Sequence, residues 1–432
     1  MSDLRPRTNR KITGEGDVST IARHGQLKRR NPFPTLAKIV AAVVGVALVS
    51  SMSVAAIAAW DVTTSVHKSV TLVDAKGKAI VPQVGAIDGS FNVLLAGSDS
   101  GDGNAAYGTR GENLNDVTML LHVSADHKNA TVVSFPRDMF VAIPSCPDPK
   151  GGSFDAMSYQ KINNTLTYGG LACTVLTVEK LTGLTIPYAG VIQFDGVIEM
   201  SNAVGGVPVC VAGDITDPYT GLNVKAGQNT LQGAQALAFL RTRHGVGDGS
   251  DLGRISNQQV FLSSLVRTIK SADTLANPVK VYALAKAAAS NMSLSESLNN
   301  PTTIASMAIA MKGIDLNKVV FVQYPNHYVQ DGVAPTEDAA TALMTALQND
   351  QPVVVTGDTG VGSVTDPKAP PAATAPSTPG TSTTAPSSGA STTAPSTGSS
   401  GSGSGSGSAV DLPSDVHGQT AGQYTCSKPF SG

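Results

Sequence analysis

Charge is scarce in this chain and nearly balanced in sign. Charged residues make up 14% of the 432 and the formal net charge is -2. Beyond the basic first 35 residues its arginines gather mainly in one cluster, so there is no basic surface to track a phosphate backbone, and a nucleic-acid partner is disfavoured. Metal-site spacing is missing as well. His244 and His327 are each isolated, the four cysteines do not have the spacing of a metal site, and no His/Cys/carboxylate grouping suggests zinc. The loop GSDSGDGN misses the D-x-[DN]-x-[DN]-G spacing of a calcium loop and has no closing glutamate. Two further absences delimit the ends of the chain. No charged residue occurs from Ile39 to Ala59, and almost no apolar side chain from about Gly360 to Ser408.

The charge-free run is twenty-one residues long. At about 1.5 Å per helical residue it reaches roughly the 30 Å of a bilayer's hydrocarbon layer. Residues 36–60 therefore read as a transmembrane helix, with Trp60 as its interfacial anchor. Before it, residues 1–35 carry eight Lys or Arg against three acids, with no apolar periodicity, and read as a disordered basic tail. That tail stays cytoplasmic by the positive-inside rule, giving a single-pass type II protein of the cell membrane with everything after Trp60 outside. A cleavable secretory signal, with Ala56, Ile57 and Ala58 as its small-x-small site, is the competing reading and exports the chain equally. Outside the cell, Cys146, Cys173, Cys210 and Cys426 can form two disulfides in any of three connectivities. Cys146 with Cys173 and Cys210 with Cys426 is the preferred pairing, the second stapling the far C-terminus back onto the domain. Residues 356–410 are a Pro/Ser/Thr/Gly-rich disordered linker, and residues 411–432, with Cys426, are too few for a domain and are expected to be tethered or disordered.

Between a linker at 61–85 and that tail, residues 86–355 form one domain. Short apolar runs bounded by turn residues predict strands at 91–96, 116–123 and 130–135, then at 189–193, 207–211 and 319–324. Helical patterns fall at 162–181, 194–203, 231–240 and 255–270. The fold expected is α/β, a central mixed β-sheet sandwiched by helices, with ligands beyond the strand ends.

The most informative stretch is ALAFLRTRHGVGDGSDLGRISNQQVFL, from Ala236 to Leu262. Arg241 and Arg243, two apart, share a face in an extended segment, while Arg254 and Gln258, four apart, stack on one face of a helix. Planar guanidinium forks match phosphate oxygens two at a time, and three in one site suit a diphosphate. The plainer alternative is a salt-bridged surface, with Asp248 and Asp251 neutralising the arginines. Asp99, in the loop after the first strand, and Asp116, opening the next, make an oxygen-rich site for Mg²⁺, although loops are rich in Asp in any case. Arg137 and Asp138 follow a strand-ending Pro136 and project from the same edge; such a pair is often only a structural bridge. Lys161, Ile162 and Asn163 open a helix whose N-terminus is another neighbour for an anion.

The series NVLLAGSDS, NDVTMLLHVS, VVSFPRD with VAIPSC, KINNTLTYGG, LTGLTIPYAGVIQFDG, NAVGGVPV and LQGAQALAFLRTRHGVGDGSDLGRISNQQ resembles the LytR-CpsA-Psr family of cell-wall glycopolymer transferases in its actinobacterial form. The resemblance covers nearly the whole domain in order, and SFPRD, LRTRH and DLGRISNQQ are its most specific parts. It implies a type II membrane protein with an extracytoplasmic α/β domain. It also implies that Asp99 and Asp116 hold Mg²⁺ on a pyrophosphate and that Arg137, Arg241, Arg243 and Arg254 clamp it. Asp138, Asp251 and Gln258 would be acidic and amide partners in the site, and Lys161 and Asn163 its lysine motif. Where many members have an arginine two residues before the second aspartate this chain has Leu114, and Arg110 is the substitute considered. The implied reaction moves a glycan from a polyprenyl-diphosphate carrier onto peptidoglycan, forming a phosphodiester and releasing polyprenyl phosphate. A non-catalytic sensor of lipid-linked intermediates and a transferase acting on surface proteins are the alternatives. The family's lipid groove is apolar, and sequence does not separate its lining from ordinary core.

Overall fold

The computed structural model describes residues 69–81, 87–98, 113–148, 150–271, 274, 277–368 and 408–431. The basic tail, the apolar segment at 36–60, Asp99 and Arg110 lie outside the described residues, as do residues 369–407 of the linker. Among the described residues no helix is long and apolar enough to cross a membrane.

Chain order begins with three strands, β1 (Phe91–Ser98), β2 (Asn115–Val123) and β3 (Ala130–Phe135), followed by a small pair, β4 (Phe140–Ile143) and β5 (Met157–Lys161). A single 3-10 turn at Ile162–Asn164 leads into α1 (Thr165–Thr182), which stops where Gly183 takes a φ of 68° and caps the helix in the left-handed conformation. Then come β6 (Tyr188–Ile192), α2 (Phe194–Val204), β7 (Val207–Val211), β8 (Gly227–Leu231), α3 (Gly233–Arg241), α4 (Asp251–Lys270) and α5 (Pro278–Asn291). The last part holds β9 (Met292–Leu294), α6 (Pro301–Lys312), β10 (Val319–Gln323), the hairpin β11 (Asn326–Val329) and β12 (Gly332–Pro335), α7 (Glu337–Gln348), β13 (Ser363–Thr365), β14 (Gly418–Thr420) and β15 (Thr425–Ser427).

The main sheet runs β9-β6-β1-β2-β3-β10-β14. It is mixed: β1 is antiparallel to β2 but parallel to β6, and β3 is antiparallel to β2 but parallel to β10. Period-two alternation sends Leu94, Ala96, Leu120, Val133 and Val322 to one face, in a core shared with Val175 and Val178 of α1 and Leu343 and Leu347 of α7. Phe91, Leu121, Val132 and Phe321 face the other way, against Leu262 and Val266 of α4 and Met307 of α6. Helices thus cover both faces.

The edges of the domain depart from expectation. Val70 bridges to Ser295 and Leu72 enters the core, so structure begins ahead of residue 86. At the other end, residues 356–410 were expected to be disordered, yet β13 lies inside that range; residues 411–432 were expected to be tethered or disordered, and they are tethered, with β14 and β15 inside them. The expectation for 356–410 fails because it counted only local apolar residues. Non-local pairing supplies the order: β14 adds to the edge of the main sheet beside β10, and β15 inserts between β7 and β13 in a second sheet, β8-β7-β15-β13. The cysteines pair as Cys146–Cys173 and Cys210–Cys426, the latter joining β7 to β15.

Candidate active site

Polar loops converge at one end of β2 and β3. Asp116 sits at the start of β2, and Pro136 ends β3 and turns Arg137 and Asp138 out of the ladder. Facing them is the first turn of α4, capped by Ser250, whose side chain accepts from Gly253 N–H at 3.3 Å, so that Asp251 is the first helical residue. Arg137 pairs through Nη1 with Asp116 and lies 3.4 Å from Asp138. Its backbone N–H donates to Asp251 at 3.0 Å. Arg254, one turn into α4, reaches Asp251 at 2.5 Å and donates to the Asp116 carbonyl at 2.6 Å. Arg243 bridges Asp251 at 3.1 Å and Asp138 at 3.6 Å, and Lys161 approaches Asp138 at 3.5 Å from the end of β5. Asn163 donates its backbone N–H to the Arg137 carbonyl at 3.2 Å. Gly332 packs so closely behind Asp138 that a Cβ would lie 2.3 Å from the Asp138 carbonyl oxygen.

Burial and charge compete within this cluster. Burial alone would raise the Asp251 carboxyl, but Arg254 and Arg243 outweigh it and hold the group below its ordinary value. For Arg137, burial is opposed by Asp116 and Asp138, and the guanidinium is held above its usual value. Arg254 is drawn below its usual value, burial exceeding the pull of Asp251 and Asp116, yet a guanidinium stays charged. Among the described residues four cations, Arg137, Lys161, Arg243 and Arg254, thus stand against three carboxylates, Asp116, Asp138 and Asp251. Among them the surplus is positive, and the buried Nε of Arg254 has no hydrogen-bond partner there. The cluster is ready for an anion.

A cavity of about 190 Å³ opens beside it. Ser98, Asp116, Gln193, Ser201, Arg241, Arg254 and Gln258 stand among its walls, and the rest is apolar, from Phe194 and Val197 on α2 and Leu237 on α3 to Leu262, Leu265 and Ile269 along α4 and Leu284 on α5. Charged groups and hydrocarbon line the same space. An amphipathic ligand with an anionic head and an aliphatic chain suits it.

The LytR_cpsA_psr family model matches residues 55–350. The chain belongs to that family. It is 32% identical over 267 residues to the cell wall biosynthesis protein LcpA of Corynebacterium glutamicum, covering 56% of this chain and 51% of LcpA. It is 31% identical over 244 residues to the polyisoprenyl-teichoic acid--peptidoglycan teichoic acid transferase TagU of Enterococcus faecalis, covering 56% of this chain and 74% of TagU. The chain thus spans about half the length of LcpA. In fold it is similar to the Streptococcus agalactiae protein gbs0355, with a TM-score of 0.50 and 21% identity over 61% of this chain and 88% of that one.

In this LytR_cpsA_psr chain, Asp116, Arg137, Asp138, Lys161, Arg243, Asp251 and Arg254 meet in one ion-pair network. Arg254 and Gln258 share a face of α4 as their spacing required, and both line the cavity. Arg241 is a correction. It was placed with Arg243 on one face of an extended segment, but α3 continues through Arg241 and only Thr242 turns extended. The two arginines therefore diverge. Arg243 joins the carboxylates, while the Arg241 guanidinium lies 4.2 Å from the centre of the Phe194 ring, a cation–π contact at the cavity wall. The lysine motif is also built differently: Lys161 ends a strand, and the regular helix starts only at Thr165. The sequence does not mark the apolar part of the cavity lining, because Leu262, Leu265 and Ile269 have the spacing of a core face. Sequence reading also missed Asn257, buried behind the site, which donates to the Phe239 carbonyl at 2.6 Å and accepts from Ser427 at 2.6 Å.

Proposed function

We propose that this domain transfers a glycopolymer from a polyprenyl-diphosphate carrier onto peptidoglycan, at the outer face of the membrane to which residues 36–60 anchor it. One observation carries the reading: an apolar cavity shares its walls with Asp116, Arg241 and Arg254, so a single ligand can bury a lipid and have its charge neutralised. The lipid chain would occupy the space between α2, α3, α4 and α5, with the diphosphate against Arg254, Arg137 and Arg243. The name of TagU, a transferase of polyisoprenyl-linked teichoic acid to peptidoglycan, supports the same substrate classes.

In the proposed step a sugar hydroxyl oxygen attacks the phosphorus that bears the glycan. The new P–O bond forms as the bond to the bridging oxygen breaks, and polyprenyl phosphate leaves, the hydroxyl's proton balancing its new charge. Negative charge grows on the phosphoryl and leaving oxygens, and fixed guanidiniums stabilise it without reorganising. Asp251 holds Arg243 and Arg254 in place, and Asp138 does the same for Arg137, Lys161 and Arg243. No serine or cysteine nucleophile is needed.

Magnesium fits the donor set. Asp116 gives one oxygen to Arg137 and keeps the other 4.0 Å from Arg254, at the wall of the cavity, and Mg²⁺ is ordinarily held by one or two carboxylates plus substrate phosphate. Asp116, with Asp99 beside it in sequence-derived expectation, would hold the ion, which when bound supplies further charge neutralisation.

The test is turnover. Full-length chain, a synthetic polyprenyl-diphosphate oligosaccharide, a peptidoglycan fragment and Mg²⁺ should give a joined product and polyprenyl phosphate, both read by mass spectrometry. Binding without release of polyprenyl phosphate would sink the transferase reading and leave a sensor of lipid-linked intermediates. Label found on surface protein would move the acceptor instead.

A further inference from the structure

Helix α4 has cavities on two of its sides. Arg254, Gln258, Leu262 and Leu265 line the apolar one, whereas Leu252 and the preceding Asp248 line a second cavity of about 180 Å³ whose walls mix polar and apolar groups. At 3.6 residues per turn Leu252 and Arg254 are about 200° apart around the helix, so the two spaces flank the charged first turns from opposite sides. The second cavity is walled by Gln323, Asn326 and Tyr328, where β10 passes into the β11 hairpin, and by Asp415 and His417 of the C-terminal segment.

Its polar groups are short of partners. Gln323 is 3% exposed, and among the described residues its Nε2 has no hydrogen-bond acceptor. The buried Oδ1 of Asn326 has no donor, although its Nδ2 donates to the Tyr324 carbonyl at 2.8 Å. A buried donor and a buried acceptor left unmet are each costly. The Tyr328 hydroxyl lies 3.3 Å from Asp248 and 3.5 Å from the Ser250 cap, which places this cavity one residue from Asp251.

These groups select a chemistry. An apolar ligand would leave Gln323 and Asn326 unsatisfied, and an anion would meet the carboxylates of Asp248 and Asp415. A neutral, hydroxyl-rich ring satisfies all of them, because each hydroxyl both donates and accepts. The position fits as well. Asp248 and Ser250, which the Tyr328 hydroxyl reaches at this cavity, immediately precede Asp251, the carboxylate that holds Arg243 and Arg254.

We propose that this cavity is the acceptor subsite, which takes one saccharide ring and presents its hydroxyl to the phosphorus, with the C-terminal segment as one wall. The proposal rests on the transfer reading above. The test measures binding of di-N-acetylchitobiose to the full-length chain in the absence of any donor, by saturation-transfer NMR, and separately binding of polyprenyl diphosphate. Asn326→Ala and Asp415→Ala should each weaken disaccharide binding fivefold or more while leaving polyprenyl-diphosphate affinity within twofold. In the transfer assay the same variants should raise the acceptor KM and spare the donor KM. Absence of disaccharide binding, equal binding by the variants, or a parallel loss of polyprenyl-diphosphate affinity would overturn the assignment. Because the saccharide is read without donor, a failure of transfer itself remains a separate result.

Discussion

The backbone N–H of Phe430 donates to the Gly245 carbonyl at 2.9 Å, so the last residues of the chain hold the loop between Arg243 and Asp251. Two further bonds continue the contact, from Gly247 N–H to the Lys428 carbonyl and from Ser431 N–H to the Gly247 carbonyl, each at 3.0 Å. Cys210–Cys426 ties this segment to β7 across 216 residues of sequence. A bridge that closes so long a loop restricts the unfolded chain and typically adds about 2–4 kcal/mol. Replacing both Cys210 and Cys426 by serine should therefore lower the unfolding free energy by about that amount. It should also raise amide exchange first at Val246, Gly247 and Gly249. Unchanged exchange at those amides would show that the tail does not restrain the loop.

The Asp251 carboxyl makes stability depend on acid. Its folded pKa lies below the ordinary 3.8, so its contribution is fully present above that value and is lost as pH falls through the folded pKa. The urea midpoint of the native chain should thus drop as pH goes below about 4. Asp251→Asn removes the carboxylate that the buried Arg254 guanidinium holds, at a cost of about 3–5 kcal/mol, and its midpoint should fall less steeply in acid. An identical slope in both proteins would mean that Asp251 carries no such linkage.

How far the sequence reveals this molecule depends on whether the signal is local. β1 to β3 were legible because Phe91 to Ala96, Asp116 to Val123 and Ala130 to Phe135 are short apolar runs with turn residues at both ends. The stacking of Arg254 on Gln258 was legible because helical period alone sets it. Arg241 was misplaced because nothing in ALAFLRTRH marks where the helix stops: Thr242 turns extended with neither Gly nor Pro beside it. For residues 411–432 only a tether through Cys426 was legible, not the strands β14 and β15. Their order comes from edge pairing with Val320 to Val322, from insertion beside Cys210 and Val211 and from one disulfide, all contacts that local composition does not encode. An apolar cavity and a packed core use the same leucines at the same spacing, and only coordinates separate them.

Arg254→Lys keeps the charge and tests the fork. Nη2 of Arg254 serves both the Asp251 carboxylate and the Asp116 carbonyl, and a single ammonium on a shorter reach does not reproduce that planar geometry. Removing one such preorganised donor commonly costs about 10²- to 10³-fold in turnover. The variant should therefore lose transfer by that order while retaining its circular dichroism spectrum and its affinity for polyprenyl monophosphate within tenfold. Transfer at more than a tenth of the native rate would remove Arg254 from the catalytic role.

Val197, half-buried on α2, lines the apolar cavity. A tryptophan there adds bulk where the cavity has room, so the overpacking penalty should stay near the low end of about 1–3 kcal/mol. The space it fills is space the lipid would use, at about 0.8 kcal/mol for each methylene that loses its burial. Val197→Trp should consequently weaken binding of long polyprenyl diphosphates tenfold or more and leave inorganic pyrophosphate binding unchanged, so that affinity no longer rises with chain length. Titration of a prenyl-length series by calorimetry gives the answer directly. If the native and variant proteins show the same dependence on chain length, the lipid lies somewhere other than between α2 and α4.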